Sequence, residues 1–165
     1  MDWSEFQNDD SNSGEYTNPP DGESLFKKVI HDVLECLIGY RECIKLATTL
    51  KEDIPENTLS WLFEWKDLTD TWIAEIISLS KQFKELPSDS SEWSNLIPKV
   101  GVILTNVPEV RAGANALTLP SSEKSQQLIT ISIRFISTLN LIWNDIQAKE
   151  YRRLWTVRRY SKLIE

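Results

Sequence analysis

Between Ser24 and Glu52 the residues Phe26, Ile30, Val33, Leu37, Tyr40, Ile44 and Ala47 step by four and three positions without a miss. At 3.6 residues per turn they fall on one side of a helix. Leu25, Val29, Leu34 and Ile38 widen the stripe into a seam that another element must cover. This pattern predicts a helix over 24–52 with Ser24 at its N-cap. Pro55 and Asn57 then mark a turn.

Residues 58–86 repeat the pattern. Leu62, Trp65, Thr69, Trp72, Ile76, Leu79, Phe83 and Leu86 share one stripe, with Trp61, Leu68 and Ile73 beside it. The short connection predicts that this second helix lies antiparallel to the first. Pro87-Ser88-Asp89 ends it and offers a new cap. Over 90–119, Trp93, Leu96, Ile97, Val100, Ile103, Leu104 and Val107 read helically, but Pro98 and Pro108 interrupt. Proline removes a backbone donor and kinks a helix, so a broken third helix is expected, with pieces at 90–106 and 108–117. Ser121-Ser122-Glu123 is a good start for a fourth. There Ile129, Ile131, Ile133 and Phe135 alternate as a strand would, yet Leu128, Phe135, Leu139, Ile142 and Ile146 keep a helical stripe. No other segment offers a partner strand, so a helix is expected.

The fold class read from these periods is all-α: an antiparallel four-helix-type bundle with a disordered acidic N-terminus, a proline-broken third helix and a long C-terminal helix. A chain of 165 residues fits one domain. Residues 24–165 are assigned to it, and 1–23 to a leader too polar to repay the cost of ordering. Only five glycines occur, in keeping with few tight turns.

Cys36 and Cys43 on one helix would stand about 10.5 Å apart at 1.5 Å per residue, beyond the roughly 7 Å that a disulfide spans. No glycosylation sequon, signal-peptide pattern or long apolar run is visible. An intracellular compartment, cytoplasmic or nuclear, is the expectation.

The missing residue types exclude most catalytic designs. His31 is the one histidine, so a Ser-His-Asp or Cys-His site would have to use it, and no nucleophile elbow is present. Three Cys and His residues in all are too few for the usual four-ligand structural zinc site. The glycines form neither a phosphate loop nor a dinucleotide fingerprint. His31 is expected to face solvent and pair with Glu35 one turn on.

One carboxylate constellation bears on metal chemistry. Asp32 and Glu35 on the first helix, and Glu64 and Asp67 on the second, have a spacing that can hold magnesium on neighbouring helices. In this the chain is faintly similar to the all-α nucleotide pyrophosphatases, which implies a metal-dependent nucleotide hydrolase. Helical geometry gives another expectation. Asp32 and Glu35 lie about 120° and 180° from the centre of the first seam at 100° per residue, and Glu64 and Asp67 are similarly turned away. All four are expected on a solvated surface. No catalytic, cofactor-binding or metal-ligating residue is assigned, no cofactor is expected, and the chain is expected not to be an enzyme. Of the seven tryptophans, Trp61, Trp65 and Trp72 are expected in the core, with indole N–H groups finding partners at its rim.

Charge is placed unevenly. Residues 1–23 hold Asp2, Glu5, Asp9, Asp10, Glu15, Asp21 and Glu23 and no base. Residues 149–165 hold Lys149, Arg152, Arg153, Arg158, Arg159 and Lys162 against Glu150 and Glu165. The tail interleaves these cations with Tyr151, Trp155 and Tyr160, and Val157, Tyr160 and Ile164 return to the stripe of the fourth helix. Cations also suit a helix C-terminus for electrostatic reasons alone. In the head, Trp3 and Phe6 stand three apart among acids, as in segments that fold onto a partner's groove; the opposed charges also allow the acidic head to cover the basic tail until a competitor arrives. The expected function is a non-enzymatic protein–protein interaction or regulatory module. Its expected contacts are Arg152, Arg153, Trp155, Arg158, Arg159, Tyr160, Trp3 and Phe6, and its partner is another protein, self-association included. The alternative is nucleic-acid or anionic-membrane binding through the tail.

Overall fold

The computed structural model describes residues 22–87 and 92–148. The expected leader and the basic tail, with Arg152, Arg153, Trp155, Arg158, Arg159, Tyr160, Trp3 and Phe6, lie outside the described residues, as does the Ser88-Asp89 cap. The described chain is all-helical, with no strand. Helices α1 (Gly22–Thr49), α2 (Glu56–Glu64), α3 (Lys66–Lys84), α4 (Trp93–Ile103), α5 (Val107–Gly113) and α6 (Glu123–Gln147) are joined by short 3-10 turns at Lys51–Asp53 and Ala114–Ala116. No described helix is long and apolar enough to cross a membrane.

All seven residues of the predicted α1 seam are buried. So is a second stripe, Leu25, Val29, Asp32, Cys36 and Cys43. The helix is covered on both because it packs against α6, α3, α4 and α2. Ser24 is not its N-cap but already lies within the helix. At the far end Pro55 holds Ile54 extended, at φ −105° and ψ 127°. The proline ring disfavours helical geometry in the residue before it.

The expected single helix over 58–86 is two helices. It breaks at Trp65, with φ −99° and ψ 6°, although neither Pro nor Gly is near. Long-range contacts account for the break. Before it, Trp61 Nε1 donates to the Val110 carbonyl at 3.0 Å, and Thr58 Oγ1 donates to the Thr118 carbonyl at 2.6 Å. Beyond it, α3 packs on α1 and α4. The two halves of the stripe serve different neighbours. Trp61 and Trp72 are core residues as expected, whereas Trp65 is half-buried and its buried indole N–H makes no hydrogen bond.

The third segment is broken, but not at Pro98. That residue stays inside α4, exposed, where water can take up the carbonyl that a proline leaves without its donor. The interruption falls at Leu104–Asn106, and Pro108 sits in the first turn of α5, where a missing N–H costs nothing. Ser122 caps α6, its Oγ accepting from the Ser125 N–H at 3.2 Å.

Helix also prevails at the alternating isoleucines. α6 packs against α1, α4 and α5, which buries Ile129 and half-buries Ile131, Ile133 and Phe135. Coverage from several directions explains why apolar residues there exceed one helical stripe. The buried residues of all these helices join one apolar core. Along α1, Phe26 stacks on Phe83 at 4.5 Å between ring centroids, and Tyr40 meets Trp61 edge-on at 5.7 Å.

Gly39 makes room for α6, since a Cβ there would strike the Phe135 ring. Gly39→Val is expected to cost roughly 1–3 kcal/mol through overpacking. Adding Phe135→Ala should recover part of that loss in a double-mutant cycle read by urea unfolding. Strictly additive losses would show that the two positions do not meet.

Candidate functional site

Two arrangements bring chemistry-bearing side chains together. The first is one turn of α1. His31 Nε2 and Glu35 Oε1 stand 3.0 Å apart, the pairing expected from their spacing. Lys28 Nζ lies 3.7 Å from Asp32 Oδ2. Donor atoms of His31, Asp32 and Glu35 lie within 4.8 Å of one another.

The burial of this turn overturns the expectation of a solvated surface. Asp32 is 0% exposed, and the Glu35 side chain is 15% exposed. The angles from the seam were sound, but α1 has a second covered stripe, and Asp32 belongs to it. Glu64 and Asp67 are exposed, as expected, and are not among the atoms gathered around Asp32. The four-carboxylate constellation is therefore not assembled. Within the turn, the Lys28 ammonium approaches Asp32 and the imidazole takes Glu35, so a metal ion would have to displace both.

The hydrogen bond to Glu35 raises the His31 pKa, burial opposes this, and the charges of Glu35 and Asp32 add to the rise. Burial pushes the Cys36 thiol well above its ordinary range, and the negative charges of Asp32 and Glu35 push it further. Burial likewise raises Cys43, against a hydrogen bond with Ser132. Both cysteines are free and buried, and high thiol pKa values leave little nucleophilic thiolate.

The second arrangement is a pocket of about 380 Å³ where the start of α1, the end of α3 and the start of α4 meet. Phe83, Leu86, Pro87 and Trp93 form its apolar walls, and Glu23, Lys27 and Lys84 its charged rim. Phe83 is held by its stack on Phe26. Trp93 comes so close to α1 that a Cβ on Gly22 would strike its indole. Lys27 pairs with Glu23 at 2.9 Å, which leaves the rim with net positive charge. Lys84 also suits the negative end of α3, in whose last turn it lies.

The sequence carries no mark of this site. The lining residues span more than seventy positions and form no motif. The nearest signal was Trp93 directly after a polar turn, an aromatic at a helix start. The residues singled out by sequence, in the head and tail, lie outside the described residues. No protein-family model matches the chain, and neither a curated protein nor a solved structure matches it.

Two outcomes follow from the charged turn. A His31 pKa raised in the folded state stabilises fully below about pH 6.5, the ordinary value, and this contribution fades as the pH climbs through the raised value. Because His31 is half exposed, the effect is expected to be roughly 0.2–0.5 kcal/mol. Urea midpoints from pH 5 to pH 9 should show it as a difference between the parent chain and Glu35→Gln; parallel curves would refute it. Secondly, neither thiol should react appreciably with iodoacetamide in the native protein, and both should react in denaturant. Rapid native labelling of Cys36 would contradict its placement.

Proposed function

We propose that the chain is a non-enzymatic protein-interaction module, an antiparallel four-helix-type bundle that holds a short peptide in the pocket at one end. The observation that carries this reading is the pocket's composition: four apolar walls, two of them aromatic, under a rim with two lysines and one glutamate. Its volume falls within the roughly 300–1,000 Å³ of pockets that take small ligands, enough for one large side chain. An aromatic residue would lie between Phe83 and Trp93, and flanking carboxylates would meet Lys27 and Lys84. Aromatic anchors in pockets carry much of the energy of such contacts, and rim charges mainly select the partner.

The antiparallel arrangement is supported by the order of contacts along α1. Phe26 and then Tyr40 meet Phe83 and then Trp61. Gly39 and Cys43 likewise meet Phe135 and Ser132 in reverse order. The non-enzymatic part rests on His31, Asp32 and Glu35 being engaged within α1 and lining neither this pocket nor the shallower depression between α3 and α4.

Selection of random peptides on the full chain tests the reading. Peptides with Trp or Phe flanked by Asp or Glu should be enriched. Lys27→Glu with Lys84→Glu should reverse the preference to basic flanks; both lysines are exposed, so the fold should tolerate the change. No enrichment, or the same peptides on both proteins, would sink the proposal.

A further inference from the structure

We infer that the pocket's resident occupant is the chain's own acidic segment 1–21, with Trp3 or Phe6 as the inserted side chain. This rests on the peptide-holding reading above and names the peptide. Charge is the first argument. Residues 1–21 carry Asp2, Glu5, Asp9, Asp10, Glu15 and Asp21 and no base, whereas the rim sets Lys27 and Lys84 against Glu23 alone. Side-chain chemistry is the second. Asp2-Trp3-Ser4-Glu5-Phe6 interleaves aromatics with carboxylates, the combination that aromatic walls beneath a cationic rim would select.

Tethering is the third argument. Segment 1–21 joins the helices at Gly22, whose Cα lies against Trp93, so it departs from the wall of the pocket. Residues 7–21 could span up to about 50 Å at 3.3–3.6 Å each, many times the width of the site. A tether that comfortably reaches its site gives an effective concentration in the millimolar range. Contacts too weak to hold a free peptide would therefore suffice here. The segment would act as an internal competitor, and an outside partner would have to displace it.

Two experiments on the full chain decide the matter. A benzophenone amino acid in place of Trp3, and in a second protein in place of Phe6, should crosslink within the chain to peptides containing Phe83 or Trp93. The yield should fall several-fold in high salt and with Lys27→Glu plus Lys84→Glu. Crosslinks from both positions to other regions, or between two chains, would overturn the inference. In parallel, an acidic aromatic peptide from the selection should bind Trp3→Ala plus Phe6→Ala several-fold more tightly than the parent chain. Equal binding would overturn self-occupancy while leaving the peptide-holding reading intact. Binding to neither protein, with no crosslink to the pocket, would overturn both.

Discussion

A helix that buries two adjoining stripes must have neighbours on both, and α1 imposes that requirement on the whole molecule. Its seam and its second stripe together place twelve buried residues in one helix. One stripe alone would suit a helix lying on the outside of a bundle. Two make α1 the element around which α6, α3, α4 and α2 are arranged. Gly39 allows Phe135 of α6 to approach, and Phe26 and Tyr40 receive the aromatic rings of α3 and α2.

The same requirement carries charge into the interior. Asp32 occupies a position on the second stripe where an apolar residue would serve the core, and Lys28, its side chain 8% exposed, is drawn in with it. Attraction in a buried pair is largely offset by the loss of hydration. Lys28 and Asp32 therefore add little net stability as a pair. His31 and Glu35, closer to water, continue the charged turn to the surface. Burial holds the Cys36 thiol one turn away in its neutral form, and the charges of Asp32 and Glu35 add to this.

Open space remains where three helix ends meet. Within the core, side chains interdigitate and leave little room, as interiors generally do, although a shallow depression of about 540 Å³ lies between α3 and α4. Where α1 begins, α3 stops and α4 begins, the chain cannot fill all the space between three helix ends, and an apolar hollow remains beneath two lysines. The charged turn lies inside α1, whereas the charged groups of this hollow stand at an opening.

The sequence by itself determined the helical character of the described chain and much of its core. The seam of α1, the core positions of Trp61 and Trp72, the Ser122 cap and the His31–Glu35 pair follow from periods and spacings, because backbone geometry alone brings residues three and four apart onto one face. It did not determine where helices break or how many faces they bury. Neither Pro nor Gly stops a helix at Trp65; the chain breaks where Trp61 is tied to Val110 and Thr58 to Thr118, and where Thr69 Oγ1 donates to the Trp65 carbonyl. Pro98, a strong local signal, was overridden because it lies on an exposed side. The second stripe of α1 was legible in part, in Leu25 and Val29 beside the seam, with Cys36 and Cys43 as small residues that permit close packing. Yet Asp32 in its midst read as a surface acid until neighbouring helices were in place. The pocket was legible nowhere, since Lys27, Phe83 and Trp93 are brought together only by the meeting of three helix ends. Local periodicity records how a segment prefers to coil; burial and proximity belong to pairs of segments, so only the tertiary structure decided them.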